Sequence, residues 1–280
     1  MKVESKSIKW TLMAVAVAAV LAAVSCKGME DEGMDIGSTV LIYMAADNNL
    51  APNARQNIED IISSGAVPEY FDDGEGDVLL VYADISGEVP VLMRLSRDRY
   101  GEILKETVKE YDADQNSMSD SVMHQVLSYA AALFPSEHNG LVLWSHGTGW
   151  LPEGFYSNPV TGSGGTAVPM NMAEDPFAAC VKSFGADGKE EMDIKDLVRA
   201  LPVHYSYILF DACLMGGVEV AYELRGSCDY FLGSAAEILA AGMPYIKVTE
   251  CLMDGRRPAL EDLCRLYYEH YADKGATIAL

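Results

Sequence analysis

Basic residues are scarce in this chain: 20 Lys and Arg stand against 42 Asp and Glu, a net charge of −22 over 280 residues. A surface that acidic repels phosphate backbones and anionic headgroups, which argues against nucleic acid and anionic lipid as partners. Metal-type spacing is missing as well. The six cysteines and five histidines form no Cys-x-x-Cys pair and no Cys/His cluster of zinc spacing. No Gly-x-Ser-x-Gly elbow surrounds Ser145, and Trp144 crowds the position before it, so serine hydrolase chemistry of that kind is disfavoured. The glycine-rich Gly162-Ser-Gly-Gly165 lacks the Lys-Ser or Lys-Thr that a phosphate loop requires. There is no internal repeat, and the longest apolar run, Thr11 to Val24, is too short and too Ala-rich for a stable membrane span.

That apolar run has a different use. Lys2, Lys6 and Lys9 precede it as a basic leader, and it ends at Ala23-Val24-Ser25-Cys26. This ending resembles a bacterial lipoprotein cleavage site, with Ala23 where Leu is usual. The resemblance implies removal of residues 1–25 and acylation of Cys26, hence an exported protein held to the cell envelope, or its surface, by lipid. An ordinary secretory signal with an incidental cysteine is the alternative. Residues 26–37 are polar and acidic, as a flexible tether is, and residues 38–280 remain as one domain. Five cysteines then remain besides Cys26, so at least one thiol is unpaired.

Residues 38–280 alternate short apolar runs with helical periodicity, the pattern of a mostly parallel sheet flanked by helices. Thr39–Met44, Val78–Tyr82, Leu141–Trp144, Tyr207–Phe210 and Tyr230–Leu232 read as strands, with an antiparallel addition near Pro90–Leu95. Helical spacing is carried by Leu50/Ala54/Ile58/Ile61, by Val122/Val126/Leu127/Ala130, by Ile194/Leu197/Leu201 behind an Asp193 cap, by Val218/Ala221/Leu224, and by Leu260/Leu263/Tyr267/Tyr271 after Pro258. Leu151–Lys189, rich in Gly and Pro, reads as one long irregular stretch. Ala276–Leu280 reads as the opening of a further strand, so a longer parent protein is expected.

Ligands bind beyond the carboxyl ends of parallel strands. His146 follows the third core strand and Cys213 the fourth, with glycines beside each that let backbone N–H groups approach a substrate carbonyl. A thiol needs a nearby base to become a nucleophile, and imidazole titrates near neutrality. A cysteine after a strand is more often a small buried hydrophobe; the matched placement of both residues is what favours chemistry. His124 and His270 fall in helices, His138 in a loop and His204 before a strand, without such a partner.

An apolar strand into His146-Gly147 and another into Asp211-Ala212-Cys213 is similar to the signature of caspase-like cysteine peptidases. The fuller blocks, Tyr43-Met-Ala-Ala-Asp-Asn-Asn-Leu50, Leu143-Trp-Ser-His-Gly-Thr-Gly-Trp150, Phe210-Asp-Ala-Cys-Leu-Met-Gly-Gly-Val-Glu-Val-Ala-Tyr222 and Gly233 to Tyr245, resemble the clostripain family over roughly residues 38–250. The resemblance implies a caspase-like three-layer α/β/α sandwich with a mostly parallel central sheet, and peptide-bond hydrolysis through a Cys213–His146 dyad with no third catalytic residue. It implies an oxyanion site at the backbone N–H groups of Gly147 and Cys213, and a rim role for Asp47. Relatives that cleave after Arg or Lys use two pocket carboxylates. Asp211 matches one, whereas Ala240-Ala241-Gly242 stands where the other is expected, so the basic preference is left open. The sequence itself requires no cofactor and supplies no metal motif; the resemblance allows calcium. A catalytically silent lipoprotein that binds peptides or glycans on the same fold is the competing reading.

Overall fold

Strand β1 (Ile36–Ala46) sets the plan of the molecule, because its side chains alternate between two separate apolar cores. Leu41, Tyr43 and Ala45 enter one core, and Val40, Ile42, Met44 and Ala46 the other. A strand buried on both faces lies inside a layered α/β structure, since each face needs its own cover. The computed structural model describes residues 36–70, 76–149, 183–254 and 258–272. The expected signal peptide and tether through residue 35, Cys26 included, and the expected strand at 276–280 lie outside them; β1 begins two residues ahead of the boundary expected at residue 38.

The elements follow as α1 (Ala51–Ser63), β2 (Gly76–Ile85), β3 (Val91–Arg97), β4 (Ile103–Glu110), α2 (Asp120–Leu133), β5 (Asn139–Trp144), β6 (Ser183–Asp187), β7 (Glu190–Asp193), α3 (Ile194–Ala200), β8 (Tyr205–Asp211), α4 (Val218–Leu224), β9 (Cys228–Leu232), α5 (Tyr245–Leu252) and α6 (Leu260–Ala272). Seven strands form one sheet in the order β4-β3-β2-β1-β5-β8-β9. From β2 to β9 neighbours run parallel, while β3 and β4 add antiparallel at one edge. The chain starts at β1, builds outward to β4, then returns to lay β5 on the other side of β1. The crevice between β1 and β5 is therefore the topological switch point, where an open α/β sheet binds its ligand.

Among the described residues three helices cover each face of the sheet. Met123, Val126 and Leu127 of α2, Ile194 and Leu197 of α3, and Val220 and Leu224 of α4 close one core. Ile58 and Ile61 of α1, Tyr245 and Val248 of α5, and Leu263, Tyr267 and Tyr271 of α6 close the other. The fold is thus the α/β/α sandwich expected. Asp193 caps α3 as expected, its carboxylate accepting the Lys195 N–H at 2.7 Å.

One expectation needs correction. The stretch from 151 to 189 is not irregular throughout: β6 and β7 form an antiparallel hairpin that begins at Ser183. Ser183-Phe-Gly-Ala-Asp187 has a single large hydrophobe, so it carries no strand pattern of its own; Phe184 is fully buried by tertiary docking, edge-on to Phe210 at 5.6 Å. Among the described residues no helix is long and apolar enough to cross a membrane.

Candidate active site

Trp144 and Asp211 are paired in register as the last residues of β5 and β8. His146 and Cys213 each come two residues later, so two parallel strands deliver them side by side. Both line one cleft of about 230 Å³, together with Leu50, Trp144, Ser145, Asp211 and the segment Glu237 to Ala240 with Gly242. Among the described residues the lining holds two carboxyl groups, Asp211 and Glu237, and no Lys or Arg.

The His146 turn is held from three directions. Ser145 donates its Oγ–H to the Ala45 carbonyl at 2.7 Å, and its backbone N–H to the Asp211 carbonyl at 3.3 Å. The hairpin β6–β7 docks alongside: Gly185 N–H donates to the His146 carbonyl at 2.9 Å, and Thr148 N–H to the Ser183 carbonyl at 3.1 Å. Gly147 thus pairs with Phe184 through its neighbours' hydrogen bonds rather than through its own N–H. A Cβ at Gly147 would overlap the Cys213 carbonyl oxygen, so only glycine allows the two loops to meet this closely. On the imidazole, Nε2 lies 2.8 Å from Asn49 Oδ1.

The Cys213 turn is strained just after the end of β8. Leu214, directly after the cysteine, has φ +62°, a left-handed conformation that costs a non-glycine residue about 1 kcal/mol. Leu214 N–H donates to the Ala236 carbonyl at 3.0 Å and Gly216 N–H to the Ser234 carbonyl at 2.7 Å, which over-determines the turn. The thiol itself meets Ile238: the Ile238 N–H donates to Sγ at 3.3 Å, and Sγ lies 3.6 Å from the Ile238 carbonyl.

Electrostatics leave this pair neutral at rest. Burial pushes the Cys213 thiol above its ordinary range; the Ile238 N–H works against the shift, while the charges of Glu237 and Asp211 add to it. Burial also lowers the His146 pKa, because a half-buried imidazole holds its charge less readily.

Asp211 lies at the base of the cleft, 3% exposed. Its Oδ2 accepts the Met243 N–H at 3.1 Å and the Tyr245 hydroxyl at 2.9 Å, whereas Oδ1 is buried without a hydrogen-bond partner among the described residues. Burial raises this carboxyl to about 6 despite those two bonds. The floor around it is rigid: Trp144 Nε1–H donates to Asn57 Oδ1 at 3.0 Å, and Asn57 Nδ2 donates to the Ala241 carbonyl at 3.1 Å. Gly242 adopts φ +70°, and a Cβ there would stand 2.9 Å from both Asn57 Oδ1 and Asp211 Oδ2.

Asp47 sits at the end of β1, where its carbonyl accepts the Gly188 N–H at 3.0 Å, a rim position. Among the described residues no group of three or more His, Cys, Asp or Glu side chains is placed to hold a metal. Asp84 is raised to about 7, first by burial and then by the Asp187 charge. Asn49, Glu237 and Ile238 are the lining or contact residues that sequence reasoning passed over as chemistry. Asn49 and Glu237 both stand inside blocks already singled out, and the polar triplet Asp47-Asn48-Asn49 straight after a buried strand is the signal that could have raised Asn49.

A model of the clostripain family matches residues 42–164 and 175–279. Among the solved structures that share the fold, two at over 30% identity each have a TM-score of 0.67. An inactive zymogen of a C11 protease from Parabacteroides distasonis is 32% identical, covering 86% of this chain and 60% of its own. A secreted C11 cysteine protease from Bacteroides thetaiotaomicron, bound to an irreversible peptide inhibitor, is 34% identical, covering 86% of this chain and 62% of its own. This chain therefore spans about three-fifths of the length of those relatives. No curated protein matches it. The family model takes in most of the chain, including both strand ends that bear His146 and Cys213; the chain belongs to the clostripain family.

Proposed function

We propose that this chain is a cysteine peptidase in which Cys213 and His146 act as a dyad. The observation that carries the reading is the equal offset of His146 and Cys213 beyond the registered pair Trp144 and Asp211, above one shared cleft. His146 takes the proton from Sγ as the sulfur attacks the scissile carbonyl. It returns that proton to the leaving amine, and water then releases the acyl group from the thioester. The backbone N–H groups of Gly147 and Cys213 are assigned to the oxyanion. A resting pair that is neutral suits this sequence, because the charge separates only as substrate enters and water leaves.

For the P1 residue we propose a basic side chain, with the buried, unpartnered Oδ1 of Asp211 as the acceptor at the pocket base. The carboxyl groups of Asp211 and Glu237 in the cleft lining support a cationic guest. We also propose that the protein is exported and lipid-anchored at Cys26; the secreted Bacteroides thetaiotaomicron relative supports export.

A digest of a fluorogenic peptide library by the chain from residue 27 onward tests activity and P1 choice together. Cleavage after Arg and Lys is expected. Absence of any hydrolysis, with Cys213 inert to peptidyl electrophiles, would favour the silent binding protein instead.

A further inference from the structure

We propose that Asn49 is a positioning residue that fixes the tautomer and orientation of His146, making the working site a Cys213–His146–Asn49 relay; this rests on the dyad reading above. Asn49 presents Oδ1 to His146 Nε2 at 2.8 Å. An amide oxygen only accepts, so Nε2 is the nitrogen that carries hydrogen. In a neutral ring the lone pair then falls on Nδ1, which becomes the nitrogen that takes the Cys213 proton and returns it to the leaving amine. An imidazole without a fixed partner interconverts its tautomers and flips its ring, and each wrong state stops the proton transfer.

The loop that presents Asn49 is built to hold it still. Asn48, its neighbour, donates Nδ2–H to the Ala45 carbonyl at 3.1 Å and to the Ala186 carbonyl at 2.7 Å, and accepts the Leu50 N–H at 2.8 Å. The Asp47 carbonyl takes the Gly188 N–H from the turn of the β6–β7 hairpin. The same hairpin holds the His146 carbonyl through Gly185 N–H. Asn49 and His146 are thus braced against one common support, one on each side of the β1–β5 switch point. Asn49 itself is exposed, so the fold does not need its hydrogen bond to satisfy a buried group. A contact that adds little to stability yet fixes the ring of the candidate base has its effect in chemistry.

The test has two readouts on the full chain. Two-bond ¹H–¹⁵N correlation spectra report which nitrogen of His146 bears hydrogen, with His146→Ala assigning the signal. Wild type is expected as the Nε2–H form and Asn49→Ala as a mixture of both. In hydrolysis of the best library peptide, Asn49→Ala is expected to lower kcat about ten- to a hundredfold with KM nearly unchanged. Asn49→Asp is expected to keep the tautomer and move the acid limb of the pH profile upward, since a carboxylate beside imidazole favours its charged form. Unchanged tautomer populations in Asn49→Ala would overturn the proposal, even if activity fell. Hydrolysis that survives Cys213→Ala would overturn the dyad reading instead, and the spectra would still decide the role of Asn49.

Discussion

Trp144 and Asp211 stand opposite one another at the last rung of the β5–β8 ladder, and Asp211 lends its carbonyl to the amide of the residue after Trp144. This single rung sets the geometry of the site. One strand leaves it toward His146, the other toward Cys213, while the Trp144 indole and the Asp211 carboxyl turn down into the cleft floor.

Because burial raises the Cys213 thiol and lowers the His146 imidazole, the proposed dyad is expected to rest as a neutral pair. Alkylation of Cys213 by iodoacetamide, followed by mass spectrometry of its peptide, should therefore rise steadily with pH to beyond ~8.5, the ordinary thiol range. Glu237→Gln should speed it at neutral pH by removing a charge that opposes the thiolate. A plateau already reached between pH 5 and 7 would show a preformed thiolate–imidazolium pair instead.

In the proposed basic pocket Asp211 supplies a charge only when it ionises. With its pKa near 6, the preference for Arg and Lys over small neutral P1 residues should strengthen as pH rises through that value. Asp211→Asn keeps an acceptor for Met243 N–H and Tyr245 but loses the charge. It should cost about 1.5–3 kcal/mol in kcat/KM on basic substrates, the scale of a charged hydrogen bond, and much less on neutral ones. Equal losses across all P1 types would make Asp211 a support for the strand end and nothing more.

Two buried carboxyls should also tilt stability against pH. Asp84 titrates near 7 and Asp211 near 6 in the folded chain, against ~3.9 for a free aspartate. Both folded values are raised, so the unfolded chain sheds protons that the folded one retains. The stabilisation is full below about pH 4 and is lost as pH rises through 6 to 7. Chemical denaturation across this range should show unfolding free energy falling with pH. Asp84→Asn should flatten the slope and gain on the order of 2 kcal/mol at pH 8. A slope identical to wild type would mean that Asp84 is already ionised in the fold.

The proposed anchoring rests on one residue. Cys26→Ala should release the protein from membranes of a bacterial host, because on this proposal that one residue carries the acyl chains. Wild-type protein found wholly in the soluble fraction would contradict lipidation.

The central sheet was legible because its strands are buried on both faces, which leaves continuous apolar runs such as Thr39–Met44 and Leu141–Trp144. His146 and Cys213 were legible for the same reason, since each sits just past the end of such a run. Strand β4 was not. Ile103–Glu110 is an exposed edge carrying Lys105, Glu106, Lys109 and Glu110, which guard the edge and erase the hydrophobic signal. Helix α5, Tyr245–Leu252, starts where the block Gly233 to Tyr245 ends and is only eight residues long, and β6 owes its form to Phe184 docking beside Phe210 rather than to any pattern. The contact of Asn49 with His146 joins residues 97 apart, and no local spacing announces such a pair.

The most direct test of the dyad is kcat/KM on one cleavable peptide for wild type, Cys213→Ala and His146→Ala, with circular dichroism confirming that each variant is folded. Cys213→Ala should have no detectable hydrolysis and His146→Ala should fall by orders of magnitude, while Cys228→Ala and Cys264→Ala, whose thiols lie outside the cleft, should hydrolyse as wild type does. Near-wild-type activity in either folded dyad variant would contradict the account.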